Sequence, residues 1–336
     1  MTPRRRIIPV FVPHAGCVHE CVFCDQRRIS GACVPAAPDD VYSAVQSLNH
    51  GQQHQAAELA FYGGSFTAIP IDRQNELLET AQMFLKLNPI NSIRISTRPD
   101  CLDEHIINRL KQYGVATIEL GAQSMCDDVL EASQRGHTVS DIVRAAELVK
   151  GSGLALILQM MTGLPCDTRE KSLFTAKRFI EIKPDGVRIY PTVIVRGTKL
   201  HRMWELGDYQ EHTVEYAAGL CAEIYLMFKD SGIPVIRLGL NPSETLSSGD
   251  AVAGAYHPAF GELVYSKIFY DKAITLLEGV KPGSDITLAV APACVSIMTG
   301  QHRSNIKALI NKFDLHSLKV VTSGLKPGEL SSLNPA

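Results

Sequence analysis

The sequence predicts an α/β fold: a partial, TIM-like (β/α)6 barrel followed by a smaller α/β extension. Three observations predict it. Short apolar runs, many of them β-branched, alternate with helix-period segments from residue 7 to about residue 195, which is the signature of βαβ units on a parallel sheet. Six such units can be read, short of the eight in a closed (β/α)8 barrel. After Tyr190 the rhythm changes, and the remaining strand and helix segments are too few and too irregular to complete the barrel.

The strands are expected at Ile7–Val12, Glu58–Tyr62, Ser92–Thr97, Val115–Leu120, Leu154–Met160 and Gly186–Tyr190. Helices are expected at Pro38–Leu48, Asp72–Leu87, Asp103–Tyr113, Val139–Gly151 and Glu170–Ile182. Beyond the long connection Pro191–Tyr209 come a helix at about Thr213–Ser231, a strand at Pro234–Leu238, a Gly-containing loop from Asn241 to Pro258 and a helix at about Glu262–Glu278. A strand (Asp285–Val290), a helix (Gln301–Phe313) and a last strand (Leu318–Thr322) follow. The boundaries are thus 1–210 for the barrel, 211–322 for the extension and 323–336 for a flexible tail rich in Gly, Pro and Ser.

The chain has 336 residues, 45% of them apolar, ample for a large core, and a net charge of −2. That balance gives no global basic field for nucleic acid, so any such binding needs a local patch. Arg4–Arg6, Arg27 and Arg28 around the cysteine loop, Arg196, Lys199, His201 and Arg202 after strand six, and Arg303 with Lys307 are local basic groups that could contact RNA phosphates, solvated surface being their simplest reading. No apolar run approaches the length of a membrane span. The N-terminal charges and apolar residues superficially resemble a signal peptide, but Pro9 and Pro13 interrupt them, and the stretch reads as a strand. Nine cysteines with a thiolate-type motif point to a reducing, cytoplasmic setting rather than a disulfide framework.

Ligand sites in parallel α/β folds lie at the carboxyl ends of the strands, and every unusual motif falls there. Cys17, Cys21 and Cys24, spaced C-x3-C-x2-C, follow strand one. Gly63-Gly64-Ser65 follows strand two, where glycines let backbone approach a ligand closely. Ser96 and Thr97 end strand three, Gln123 follows strand four with Arg135 beyond it, and Gln159 ends strand five. Three thiolates on one loop can hold three irons of a [4Fe–4S] cube and leave the fourth iron open. With His14 or His19 they could instead build a structural zinc site, the lesser alternative. Cys33, Cys101, Cys126 and Cys166 lie on the same rim without a second C-x2-C; small buried cysteines are their simplest reading, a second redox role the alternative.

The cysteine spacing, with Phe23 just before the last cysteine, resembles the radical S-adenosylmethionine (SAM) superfamily, whose usual architecture is also a partial barrel. The stretch Glu119–Thr138 resembles a unit shared by the Elongator catalytic subunit and oxygen-independent coproporphyrinogen oxidase, and together with Ile95–Asp100 and Tyr190–Tyr209 it resembles the radical SAM part of Elongator. The resemblance implies a [4Fe–4S] cluster on Cys17, Cys21 and Cys24, with SAM chelating the open iron. Reduction by an external flavodoxin- or ferredoxin-type donor would cleave SAM to methionine and a 5′-deoxyadenosyl radical. It places the SAM amino group on the Gly63-Gly64 turn beside Ser65. It makes Gln123 and Arg135 partners of the SAM ribose and carboxylate. Gln159 stands where relatives can carry an aspartate on the ribose, and Ser96, next to Thr97, where many carry a glutamate. It implies tRNA as one substrate candidate, a porphyrin-like small molecule being the competitor. A zinc- or cluster-stabilised RNA-binding module with a vestigial radical site is the non-enzymatic alternative. Elongator's acetyltransferase domain is not expected in this chain. The Gly249–Pro258 loop is expected to fold over the open side of the barrel.

Overall fold

The computed structural model describes residues 6–12, 17, 19–30, 34, 36–47 and 57–333; Cys33 and His14 lie outside them. The chain divides into two compact units, one formed by residues up to Thr213 with Ile224–Pro258, the other by Val214–Glu223 with the residues from Ala259 onward.

The first unit is built on β1 (Arg6–Phe11), β2 (Ala57–Tyr62), β3 (Ser92–Thr97), β4 (Val115–Gln123), β5 (Ala155–Thr162) and β6 (Gly186–Pro191). The helices between them are α1 (Gln26–Ser30), α2 (Pro38–Gln46), α3 (Ile71–Lys86), α4 (Glu104–Gln112), α5 (Asp127–Ala132), α6 (Val139–Gly151) and α7 (Arg169–Ile182). Local chemistry fixes their starts. Asp103 accepts from the Ile106 N–H at the start of α4. Thr138 and Asp141 form a reciprocal capping box on α6, and Thr168 caps α7, satisfying N–H groups that a helix start otherwise leaves unpaired.

After β6 come β7 (Val193–Val195), α8 (Lys199–Glu205), α9 (Val214–Asp230), β8 (Val235–Leu238) and β9 (Ala251–Gly254). β8 pairs parallel with β6, so the main sheet has seven strands in the order β1-β2-β3-β4-β5-β6-β8. Pro234–Leu238, read from sequence as part of the extension, is therefore the seventh barrel strand. Its crossover passes through β7, α8 and α9, too irregular a path to read as one more βα unit.

The sheet is strongly curled. β2 and β6 lie four places apart, about 19 Å in a flat sheet at the usual interstrand spacing. Yet Arg188 on β6 donates to the Tyr62 hydroxyl on β2 at 2.7 Å. Among the described residues β1 and β8 do not pair, so the barrel is partial, as expected. β9 pairs antiparallel with β7. The Gly249–Pro258 stretch thus forms a small ribbon rather than a cover, and it is Leu240–Thr245, just after β8, that lines the barrel mouth.

The second unit holds α10 (Phe260–Leu276), β10 (Asp285–Val290), α11 (Val295–Thr299), α12 (Ser304–Phe313), β11 (Ser317–Thr322) and β12 (Leu330–Ser332). Its sheet runs β11-β10-β12. Phe269, Leu277, Leu288, Met298 and Leu309 form its core. Within the tail expected to be free, Leu330–Ser332 pairs antiparallel with β10. The turn residues around it hide so short a strand from sequence reading.

Candidate functional site

At the carboxyl ends of β1 to β6 the first unit contains a cavity of about 1010 Å³. Its wall includes Cys17, Cys21, Phe23, Cys24, Gly63, Gly64, Ser65, Ser96, Thr97, Gln123, Arg135 and Gln159. The structure thus lines one cavity with the cysteine triplet, Phe23 and the polar residues that the resemblance assigns to SAM. Cys101, Cys126 and Cys166 are described but do not belong to that wall.

The cysteine loop is pinned at its middle. The Val22 N–H donates to the Ser133 carbonyl and the Val22 carbonyl accepts from the Leu200 N–H. Val22 and Phe23 pack on Val129, Leu164, Ile194 and Leu200, and the Cys24 N–H closes a turn on the Cys21 carbonyl. These contacts hold Cys21 and Cys24 on one side of the loop. Gln26 Nε2 donates to Cys24 Sγ at 3.2 Å, and Arg135 Nη1 to Cys21 Sγ at 3.0 Å.

Burial pushes the Cys24 thiol up to about 12, with the neighbouring Cys21 adding to the rise and the Gln26 hydrogen bond opposing it. The Cys17 thiol is raised as well, by burial, against a hydrogen bond from the Ser65 backbone. Thiols in such a setting give up their protons when a metal supplies the compensating positive charge. Among the described residues no three His, Cys, Asp or Glu side chains converge on a single-ion site. A cubane cluster does not require that, because each thiolate binds a different iron.

Opposite the cysteines stands the turn after β2. Gly63 takes φ 93°, a left-handed conformation that glycine adopts without penalty. Hydroxyls brace the turn: Thr97 Oγ1 lies 2.6 Å from Thr67 Oγ1 and 3.2 Å from Ser65 Oγ, which accepts from the Arg98 N–H at 3.1 Å. At the end of β4 the ladder to β5 slips between Leu120 and Gln123. Gln123 has φ 71°, a conformation costly for a residue with a side chain. Its Oε1 is buried without a hydrogen-bond partner, as is Arg135 Nε. Arg135 Nη2 donates to the Gly121 carbonyl at 2.6 Å. Gly121 leaves room for both side chains, since a Cβ there would stand 3.1 Å from Gln123 Nε2 and 3.3 Å from Arg135 Nη2.

His137 packs beside this corner, with Nε2 3.3 Å from the Ala122 carbonyl. Burial, then the Arg135 and Arg98 guanidiniums, hold its pKa down at about 3, so it stays neutral and the corner's positive charge rests on the arginines. These residues fit the cofactor pair the motifs imply. Three thiols share one loop, a buried guanidinium faces them, and unpaired polar atoms on Gln123 and Arg135 sit in the wall.

Gln159 and Arg188 at the cavity wall belong to a charged layer of which motif reading picked out Gln159 alone. Glu58 on β2, Arg94 on β3, Glu119 on β4, Gln159 on β5 and Arg188 on β6 all point into the barrel. Glu119, fully buried, accepts from Tyr62 Oη at 3.0 Å, Arg94 Nη1 at 2.5 Å, Arg188 Nη2 at 2.8 Å and Gln159 Nε2 at 2.8 Å. Glu58 accepts from Arg94, Ser92 and Thr117. Burial pushes the Glu119 carboxyl up, but Arg188 and Arg94 outweigh it and hold its pKa below the ordinary value. A carboxylate only accepts, so Gln159 must turn its amide nitrogen to Glu119 and its Oε1 away from it. The signal was present in sequence: charged residues inside strands of a parallel sheet, where near-continuous apolar runs are the rule.

Residues 11–177 match the family model described as the Radical SAM superfamily, and residues 184–269 match the Radical_SAM C-terminal domain. The chain is 28% identical over 221 residues to Elongator complex protein 3 of Dictyostelium discoideum, covering 56% of this chain and 39% of that one. It is 34% identical over 190 residues to the tRNA uridine(34) acetyltransferase of Methanocaldococcus jannaschii, covering 50% and 35%. The chain therefore spans well under half the length of these curated relatives. Among solved structures, the Methanocaldococcus infernus Elp3 lacking residues 1–46 superposes with a TM-score of 0.62 at 22% identity, covering 81% of this chain and 68% of that one; this likeness concerns the fold.

Proposed function

Because the chain belongs to the radical SAM superfamily, we propose that Cys17, Cys21 and Cys24 hold a [4Fe–4S] cluster and that the cavity beside them binds SAM for reductive cleavage. The observation that carries this reading is the meeting, on one wall, of three thiols, the left-handed Gly63 turn and the unpaired polar atoms of Gln123 and Arg135. Bound there, such a cluster would supply, on reduction by a low-potential flavodoxin- or ferredoxin-type donor, the electron for cleaving SAM.

The protein's own part is positioning. The Val22 anchor holds the cysteine loop against α5 and α8. The Gly63–Ser65 turn, braced by Thr97, offers backbone groups to the amino end of SAM. Gln159, held by Glu119, presents Oε1 as an acceptor for a ribose hydroxyl. Phe23 and the barrel wall keep bulk water from the reacting end.

The substrate we propose is tRNA. The support is similarity to proteins named for tRNA uridine(34) acetylation and for Elongator. It covers about half of this chain and supports a substrate class, not a product.

Two measurements test the core of the reading. Anaerobically reconstituted protein should carry about four irons and four sulfides per chain and form 5′-deoxyadenosine from SAM under dithionite. Cys21→Ala should lose both. Undiminished cleavage by that variant overturns the cluster assignment, and colourless protein with one zinc favours the binding-module alternative.

A further inference from the structure

We propose that Arg135 raises the reduction potential of the group held by the three cysteines, through a charged hydrogen bond to the sulfur of Cys21. This rests on the cluster reading above and adds to Arg135 a role separate from holding the SAM carboxylate.

Three contacts fix the guanidinium. Nη1 lies 3.0 Å from Cys21 Sγ, Nη2 lies 2.6 Å from the Gly121 carbonyl oxygen, and Cζ stands 6.0 Å from the centre of the Phe23 ring. Arg135 is only 7% exposed. The neighbouring buried arginines are matched by carboxylates. Arg98 grips Asp100 through Nε at 2.9 Å and Nη2 at 3.0 Å, and Arg94 and Arg188 share Glu119. Among the described residues no such pair is formed by Arg135. A buried cation left without an anion is strongly destabilising, and among the described residues the hydrogen-bond partner of Arg135 that can carry a full negative charge is the Cys21 sulfur.

The consequence follows from charge. A one-electron reductant makes a thiolate-bound cluster more negative by one unit. No bond forms or breaks at Arg135, which stays protonated throughout. A fixed positive charge and an N–H···S bond stabilise the more negative state, and hydrogen bonds to the sulfurs are among the established determinants of cluster potential. The same contact orders Cys21 before the cluster arrives.

The test is a dithionite titration followed by EPR on reconstituted, SAM-free protein. Arg135→Gln keeps a side-chain amide and removes the charge; its midpoint should shift to lower potential than that of the unsubstituted chain. An unchanged midpoint, with only SAM affinity reduced, overturns the proposal and leaves Arg135 a carboxylate partner alone. Should the variant fail to assemble a cluster, the unsubstituted protein decides. Chain labelled with guanidino-15N arginine should show nitrogen coupling to the reduced cluster in the absence of SAM, and no coupling overturns the proposal. Failure of the unsubstituted chain to take up iron at all refutes the cluster reading itself, a distinct outcome.

Discussion

Replacing Glu119 with Gln probes the charged layer inside the barrel. Glu119 is fully buried and takes four hydrogen bonds, two of them from guanidiniums. Glu58 and Glu119 together balance Arg94 and Arg188. The amide keeps the shape and removes the charge, leaving the layer with one uncompensated buried cation. Breaking a buried pair from one side costs about 3–5 kcal/mol. For a unit of roughly 250 residues each kcal/mol lowers the melting temperature by about 2 °C, so Glu119→Gln should melt about 6–10 °C below the parent chain. Thermal unfolding followed by far-UV circular dichroism, anaerobically at pH 7, measures it.

The pH dependence has a definite sign. The folded pKa of Glu119 lies below its ordinary value, so its contribution is complete above the unfolded value near 4.3 and is lost as pH falls through the folded one. The gap between parent and variant should hold constant from pH 7 to about 5 and close only at more acid pH. A shift under about 2 °C at pH 7, or a gap that closes on raising the pH, refutes the view that this carboxylate is ionised and compensated.

Gln159→Met removes the acceptor that Glu119 orients; it should weaken SAM binding by about tenfold, the scale of one lost hydrogen bond, and a calorimetric titration giving unchanged affinity would show that Oε1 serves no ligand. Gly63→Ala forces a side chain into φ 93°; it should cost about 1–2 kcal/mol of stability and reduce SAM affinity, and a variant binding SAM as tightly as the parent contradicts the role given to the turn. Total tRNA in a filter-binding titration over a salt series should bind with a steep negative salt slope; absence of binding at low salt points to a small-molecule substrate.

The carboxyl-end loops were readable because their chemistry is local. A cysteine triplet, a glycine pair and polar residues after β-branched runs each announce themselves within a few residues. The seventh strand was misplaced because β6 and β8 are joined through two dissimilar helices and a ribbon strand, so no single βα period marks the connection. The Glu58–Arg94–Glu119–Gln159–Arg188 layer was hidden for another reason. Its members are far apart in sequence, each looks like a lone polar residue in a strand, and only the curl of the sheet turns them into a network. Gln123's left-handed backbone and the lack, among the described residues, of a carboxylate paired with Arg135 are likewise consequences of packing. The ladder slip after Leu120 sets the first, and the second appears only when every carboxylate nearby is seen to be taken.

The measurement that bears most directly on the central claim is Mössbauer spectroscopy of 57Fe-reconstituted protein with and without SAM. If Cys17, Cys21 and Cys24 hold a cube with one iron free of protein ligands, SAM should change the spectrum of a single iron site and leave the others as they were. Spectra indifferent to SAM, or a chain that takes up zinc and no iron, would contradict the account.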